Sequence, residues 1–273
     1  VEEMRPQFHY SVLSVQAVVI ACAISDVVTR LMVGDVNAIT MPVLQAPEMG
    51  TLWLFVVFGV IFGLLGYVFE RVLLNSSAWI GRLSRPAFIV TLVLIGGLIG
   101  VSGGIDPRFL GGGDNVLEGF LTKPSAMSLL MTVFAVRFVS TIASYSTGAP
   151  GGLFAPMLAL GTIAGVAYGE LVGQLGLGGS LGPAHFAVAG MGAFFAAVVR
   201  APLTGIILTA EMTGNFTQIL PLMFTCMAAT ITAHGLGTKP IYTALLQRDI
   251  HLLHAAEMEG GSEDEPEPAP AAD

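Results

Sequence analysis

Apolar, uncharged residues lie in long unbroken runs along this chain. Residues 49–69, 86–105, 138–169, 171–199 and 212–238 contain no Asp, Glu, Lys or Arg. A helix needs about 20 such residues to cross the hydrocarbon core of a bilayer. A strand of a membrane barrel needs about 10, alternating strictly between apolar and polar. Continuous runs without alternation therefore predict an all-α, polytopic membrane protein. Gly and Pro interrupt 138–169 and 171–199, so each run predicts broken helices rather than one straight rod. Two further apolar segments, 11–25 and 201–210, are too short to span.

Spans of such unequal length, with glycines at their ends, point to a transporter or channel of tilted, broken helices, a class in which inverted-repeat architectures are common. Irregular backbone survives at membrane depth only inside protein or beside a water-filled cavity. Arg71, Arg82 and Arg85 lie between two full-length runs, and the excess of cations places a 71–85 loop in the cytoplasm. A 26–48 loop, with Asp26, Asp35 and Glu48 against Arg30 alone, then falls on the other side. A faint internal echo, Glu-Met-x-x-x-Phe, begins at Glu3 and again at Glu211, as a repeated architecture would leave.

Composition agrees with the pattern. Of 273 residues, 54% are hydrophobic and 11% charged, against about 25% charged in soluble domains, and the mean hydropathy is +0.78. The net charge of −8 comes mostly from the end of the chain, where seven of the 19 acids lie between Glu257 and Asp273 with no Lys or Arg. The remaining 12 acids balance 11 bases, so nothing predicts a nucleic-acid partner. Residues 1–255 read as a membrane domain, and 256–273, acidic and Pro-rich, as a disordered tail. Cys22 and Cys226 read as small buried hydrophobes, and His9, His185, His234, His251 and His254 as surface or interface residues. Neither set has a metal-binding spacing, and no cofactor is expected.

Candidate chemistry concentrates in Ser146-Thr147-Gly148-Ala149-Pro150-Gly151-Gly152-Leu153-Phe154-Ala155-Pro156. Gly and Pro end one helix there, and Pro156 suits the first turn of the next. Such a helix start presents unpaired N–H groups at the positive end of a dipole, and can hold an anion without a full positive charge. The plainer reading is a helix break in a packed bundle. Glu3, a carboxylate beside a span, suggests a proton relay; a solvated terminus is the alternative. Glu211 reads as a buried acid with a local partner, Arg200 being one candidate.

These residues resemble a family. GGLFAP with the following MLALGTIAGVAYGE, then FAVAGMGAFFAAVVRAPLTGIILTAEMTGNF and GTKPIY, are similar to the CLC chloride channel and transporter family. Within it, the opening EEMRPQF resembles the bacterial proton/chloride exchangers. The resemblance implies that the N–H groups of Leu153 and Phe154, in the loop completed by Gly152, Ala155 and Pro156, bind a central chloride. It implies that the Tyr242 hydroxyl donates to the same ion, and that Glu3 accepts protons from the cytoplasm. A phenol is a neutral donor and adds no charge to the shell. Without the resemblance, Tyr242 reads equally as an interface tyrosine anchoring a helix end.

Two further motifs of the family are not in the sequence: a Gly-Ser-Gly-Ile-Pro-type loop and a Gly-Arg-Glu-Gly-Pro-type segment. Val1 opens directly onto Glu2-Glu3-Met4. The sequence is therefore read as the C-terminal half of a chloride/proton antiporter of a bacterial inner membrane. By the resemblance, chloride, protons, lipid and a second copy in a homodimer are its partners, together with the N-terminal half that completes the pathway. Segments near 12–24 and 203–235 would line the subunit interface. The alternatives are a passive chloride channel, an assembly subunit, and an intramembrane hydrolase using Ser146 and His234.

Overall fold

A computed structural model describes residues 12–34, 39, 41–110, 119–120, 126–149, 151–248 and 250. The described residues form helices and connecting turns, with no strand among them. In chain order the helices are α1 (Val12–Val33), α2 (Leu52–Ile80), α3 (Arg85–Ile105), α4 (Met127–Ser146), α5 (Phe154–Gln174), α6 (Pro183–Val199), α7 (Pro202–Thr213) and α8 (Ile219–Gly235). A further helix, α9, covers 241–248. Six segments are long and apolar enough to cross a membrane, ending with Phe216–Gly235; α6 is apolar but shorter.

The α6 helix is the centre of the fold. Every residue from His185 to Val199 is buried, which is what a helix apolar on all sides requires. It packs against α5, α8, α2 and α7, while α2 also packs along α8. Between apolar helices in lipid the driving force is close packing rather than escape from water. The sequence meets this with glycines four apart on α5, at 161, 165 and 169. A Cβ at Gly161 would stand 2.3 Å from the Gly190 carbonyl oxygen on α6, so only glycine permits this approach. Phe55, Phe58, Phe62 and Phe69 of α2 fill the space left over, with Phe55 stacked on Phe186 at 4.7 Å.

The periphery differs. Neither α1 nor α3 has a buried residue. Here α1 also corrects the expected boundary: the apolar stretch continues as helix through Val33, because Asp26 and Arg30 pair one turn apart at 2.9 Å and stay on an exposed surface. Cys22 lies on this helix and is exposed, unlike buried Cys226. The expected 71–85 loop is likewise shortened to Gly81–Ser84, since α2 continues three turns beyond Phe69. His185 is buried, not superficial; its ring contacts the Gly182 backbone and the Gln45 carbonyl, each at 3.2 Å. Glu211 is exposed on this chain, against the expectation of a buried acid. The buried stripe of α7 runs through Gly205, Ile206, Thr209, Ala210 and Thr213, and position 211 turns away from it.

Candidate functional site

The predicted break between α4 and α5 is present. After Ser146, Thr147 N–H donates to the Ser144 carbonyl at 3.3 Å and Gly148 N–H to the Tyr145 carbonyl at 3.2 Å. Gly148 takes φ +74°, a left-handed conformation that a side chain would strain. The chain then passes through Gly151 and Gly152, both exposed, into α5. Leu153 is the residue before the first helical turn, and no side chain caps it. The first bond of the helix runs from Met157 N–H to the Leu153 carbonyl at 3.0 Å. The N–H groups ahead of it are the donors that a helix start leaves unpaired. Pro156 is the third helical residue, where a missing N–H costs nothing. Ala155 and Pro156 are half-buried.

Apolar side chains anchor this turn. Leu153 is only 2% exposed. Phe154 lies edge-to-face on Phe195, centroids 5.6 Å apart. Leu153, Phe154 and Tyr242 all pack in one apolar cluster, together with buried Ile241 of α9. The fold thus brings Tyr242, remote in sequence, to the cluster that holds the start of α5. Glu3 and Pro150 lie outside the described residues, as does the tail over 256–273.

Beside the turn is a cavity of about 440 Å³, lined among others by Ser77, Tyr145, Ser146, Gly151, Leu245 and Arg248. Ser146 is buried, and its Oγ has no hydrogen-bond partner among the described residues. The Arg248 guanidinium donates to the Ser77 hydroxyl and, at 3.2 Å, to the Ser77 carbonyl. Sequence reasoning missed Arg248, although it follows Tyr242 on the same helix. An arginine at such a cavity raises the local concentration of anions. His234 is exposed near the end of α8 and does not line the cavity, so the fold does not join it to Ser146 there.

A second polar cluster was also missed. Glu70 of α2 is 2% exposed. Its carboxyl faces the Thr238 hydroxyl, the Lys239 N–H and the guanidinium groups of Arg200 and Arg71. Arg200, between α6 and α7, donates to the carbonyls of Ala233 at 2.7 Å and Thr230 at 3.4 Å, and to the Thr238 hydroxyl. Glu70, not Glu211, is the carboxylate near enough for Arg200 to feel its charge, with no direct ion pair between them. In the sequence Glu70 merely ends an apolar run, and nothing there marks it as buried.

Fold and site together define a multi-pass helical membrane protein with a broken helix opening on a polar cavity. The voltage gated chloride channel family matches residues 1–234, and the chain belongs to that family. It is 43% identical over 253 residues to the H(+)/Cl(-) exchange transporter ClcA of Vibrio parahaemolyticus, covering 92% of this chain and 54% of that protein. It is 41% identical over 262 residues to ClcA of Salmonella typhimurium, covering 95% and 55%. Among solved structures it is similar to a slow cyanobacterial Cl−/H+ antiporter, with a TM-score of 0.86 and 38% identity over 92% of this chain and 59% of that one. The chain spans about half the length of the curated relatives it matches.

Proposed function

We propose that this chain supplies the C-terminal half of a bacterial inner-membrane antiporter that exchanges chloride for protons. Chloride sheds water onto the N–H groups of Leu153 and Phe154 and the Tyr242 hydroxyl, with Gly152, Ala155 and Pro156 shaping the loop. Amide dipoles and a phenol attract a halide without the full charge of a lysine, so they release it as readily as they take it. The observation that carries this reading is an uncapped helix start whose buried Leu153 shares one apolar cluster with Tyr242. The names of the relatives favour exchange over passive conduction. The N-terminal half adds the remaining chloride and proton groups, and Glu3 takes up protons from the cytoplasm. Two copies form a homodimer, with segments near 12–24 and 203–235 at the interface.

The decisive measurement is chloride binding to the full-length protein by calorimetry. Tyr242→Phe is expected to weaken it about tenfold, the loss of one hydrogen bond to an ion. Unchanged binding removes Tyr242 from the site. For the proton branch, Glu3→Ala in liposomes is expected to abolish proton movement driven by a chloride gradient. A variant that still pumps protons would sink that branch.

A further inference from the structure

We infer that Arg200 and the buried Glu70 together are a positioning device that sets the Tyr242 hydroxyl, acting through the joint between α8 and α9. This rests on the reading of Tyr242 as a chloride ligand. Three observations meet at the joint. Arg200 places its guanidinium on the carbonyls of Thr230 and Ala233 at the C-terminal end of α8, where a cation complements the helix dipole. Glu70 places its carboxyl toward Thr238 and the Lys239 N–H, just ahead of α9, where an anion complements the opposite end. Thr238 joins the two, contacting the Arg200 guanidinium and the Ala233 carbonyl at 3.3 Å while facing Glu70.

The cost of this arrangement argues that it is kept for a purpose. Arg200 holds φ +65°, the only non-glycine residue with positive φ among the described residues, and its side chain reaches across to α8 from there. Glu70 Oε2 and Arg200 Nε are both buried with no hydrogen-bond partner among the described residues. A joint needed only for packing would be cheaper with apolar residues. Thr238 stands four residues ahead of Tyr242, and Ile241 between them is fully buried. A shift of the joint therefore reaches the phenol through a short segment pinned at buried Ile241.

A double-mutant cycle in the full-length protein tests this, read as chloride affinity by calorimetry. Glu70→Gln preserves shape and removes the charge; Thr238→Val removes the linking hydroxyl and serves if the first variant does not fold. Each is expected to weaken chloride binding about fivefold in the parent protein and to have no effect in the Tyr242→Phe background, the coupling expected of residues acting through one group. Equal weakening in both backgrounds would mean a general structural role and would overturn the inference. So would unchanged affinity in both variants while Tyr242→Phe alone weakens binding. If Tyr242→Phe changes nothing, the Tyr242 reading itself fails and the inference falls with it.

Discussion

Two of the turns that interrupt the helices, each soon followed by a proline, are finished in opposite ways. Between α4 and α5 the turn is rich in glycine, its helix start carries no side-chain cap, and a cavity lies beside it. Between α6 and α7 the turn is Arg200, at φ +65°, and Ala201, and the Arg200 guanidinium reaches across to bond two carbonyls of α8. An open break keeps its backbone donors free for a small anion. A filled break spends its side chain on holding neighbouring helices together. On the proposed reading the same local device serves an ion in one place and the scaffold in the other, and the difference is what the side chain at the turn reaches.

Breaking the filled turn is expected to have the largest effect. Arg200→Ala removes the charged hydrogen bonds that cap the end of α8 and one of the cations near Glu70, and should destabilise the protein by about 3 kcal/mol, the upper end for hydrogen bonds to a charged group. Thermal unfolding in detergent checks this, and a Tm equal to the parent's would mean that the turn is not filled in any energetic sense. The open turn should respond differently. Ser146→Ala removes a buried hydroxyl that has no hydrogen-bond partner among the described residues, so its stability cost should stay within about 1 kcal/mol. A loss as large as that of Arg200→Ala would erase the contrast.

The smallest effect concerns the loop behind the open turn. Buried Arg137 of α4 donates to the Arg108 and Leu110 carbonyls at 2.7 and 2.9 Å. The Arg108 side chain bonds Asp106, with a further bond from the Arg108 N–H, and this holds the Asp106 carboxyl below the usual aspartate range. The ionised form is thus favoured in the folded protein. Its contribution is present above the ordinary aspartate pKa and fades as pH falls through the lowered value. Asp106→Asn should therefore lower Tm slightly at neutral pH, and the gap from the parent should close on acidification. A gap independent of pH would show that the carboxylate charge contributes nothing.

Much of the architecture is legible in the one-dimensional pattern, because a bilayer admits so few solutions. Charge-free runs of spanning length must be helices, as backbone groups have no other partner in hydrocarbon, and α3 and α8 fall where the runs put them. The break at Gly148–Leu153 is legible for the same local reason: glycines and Pro156 specify a helix end wherever they occur. Boundaries set by charge were misread. Glu70 and Asp26 look like helix ends in sequence, yet Glu70 is sheltered by Arg200 and Thr238, and Asp26 by Arg30 one turn away. The partner that makes a charge tolerable at such a place can lie on a helix far along the chain, as Arg200 does for Glu70. Which side of α7 carries Glu211, and which cluster receives Tyr242, depend on helix packing. Composition and spacing determined that this chain is a bundle of broken membrane helices with a glycine-rich turn ahead of Phe154. Only the tertiary structure decided which charges face one another, because that pairing follows from contacts between helices remote in the chain.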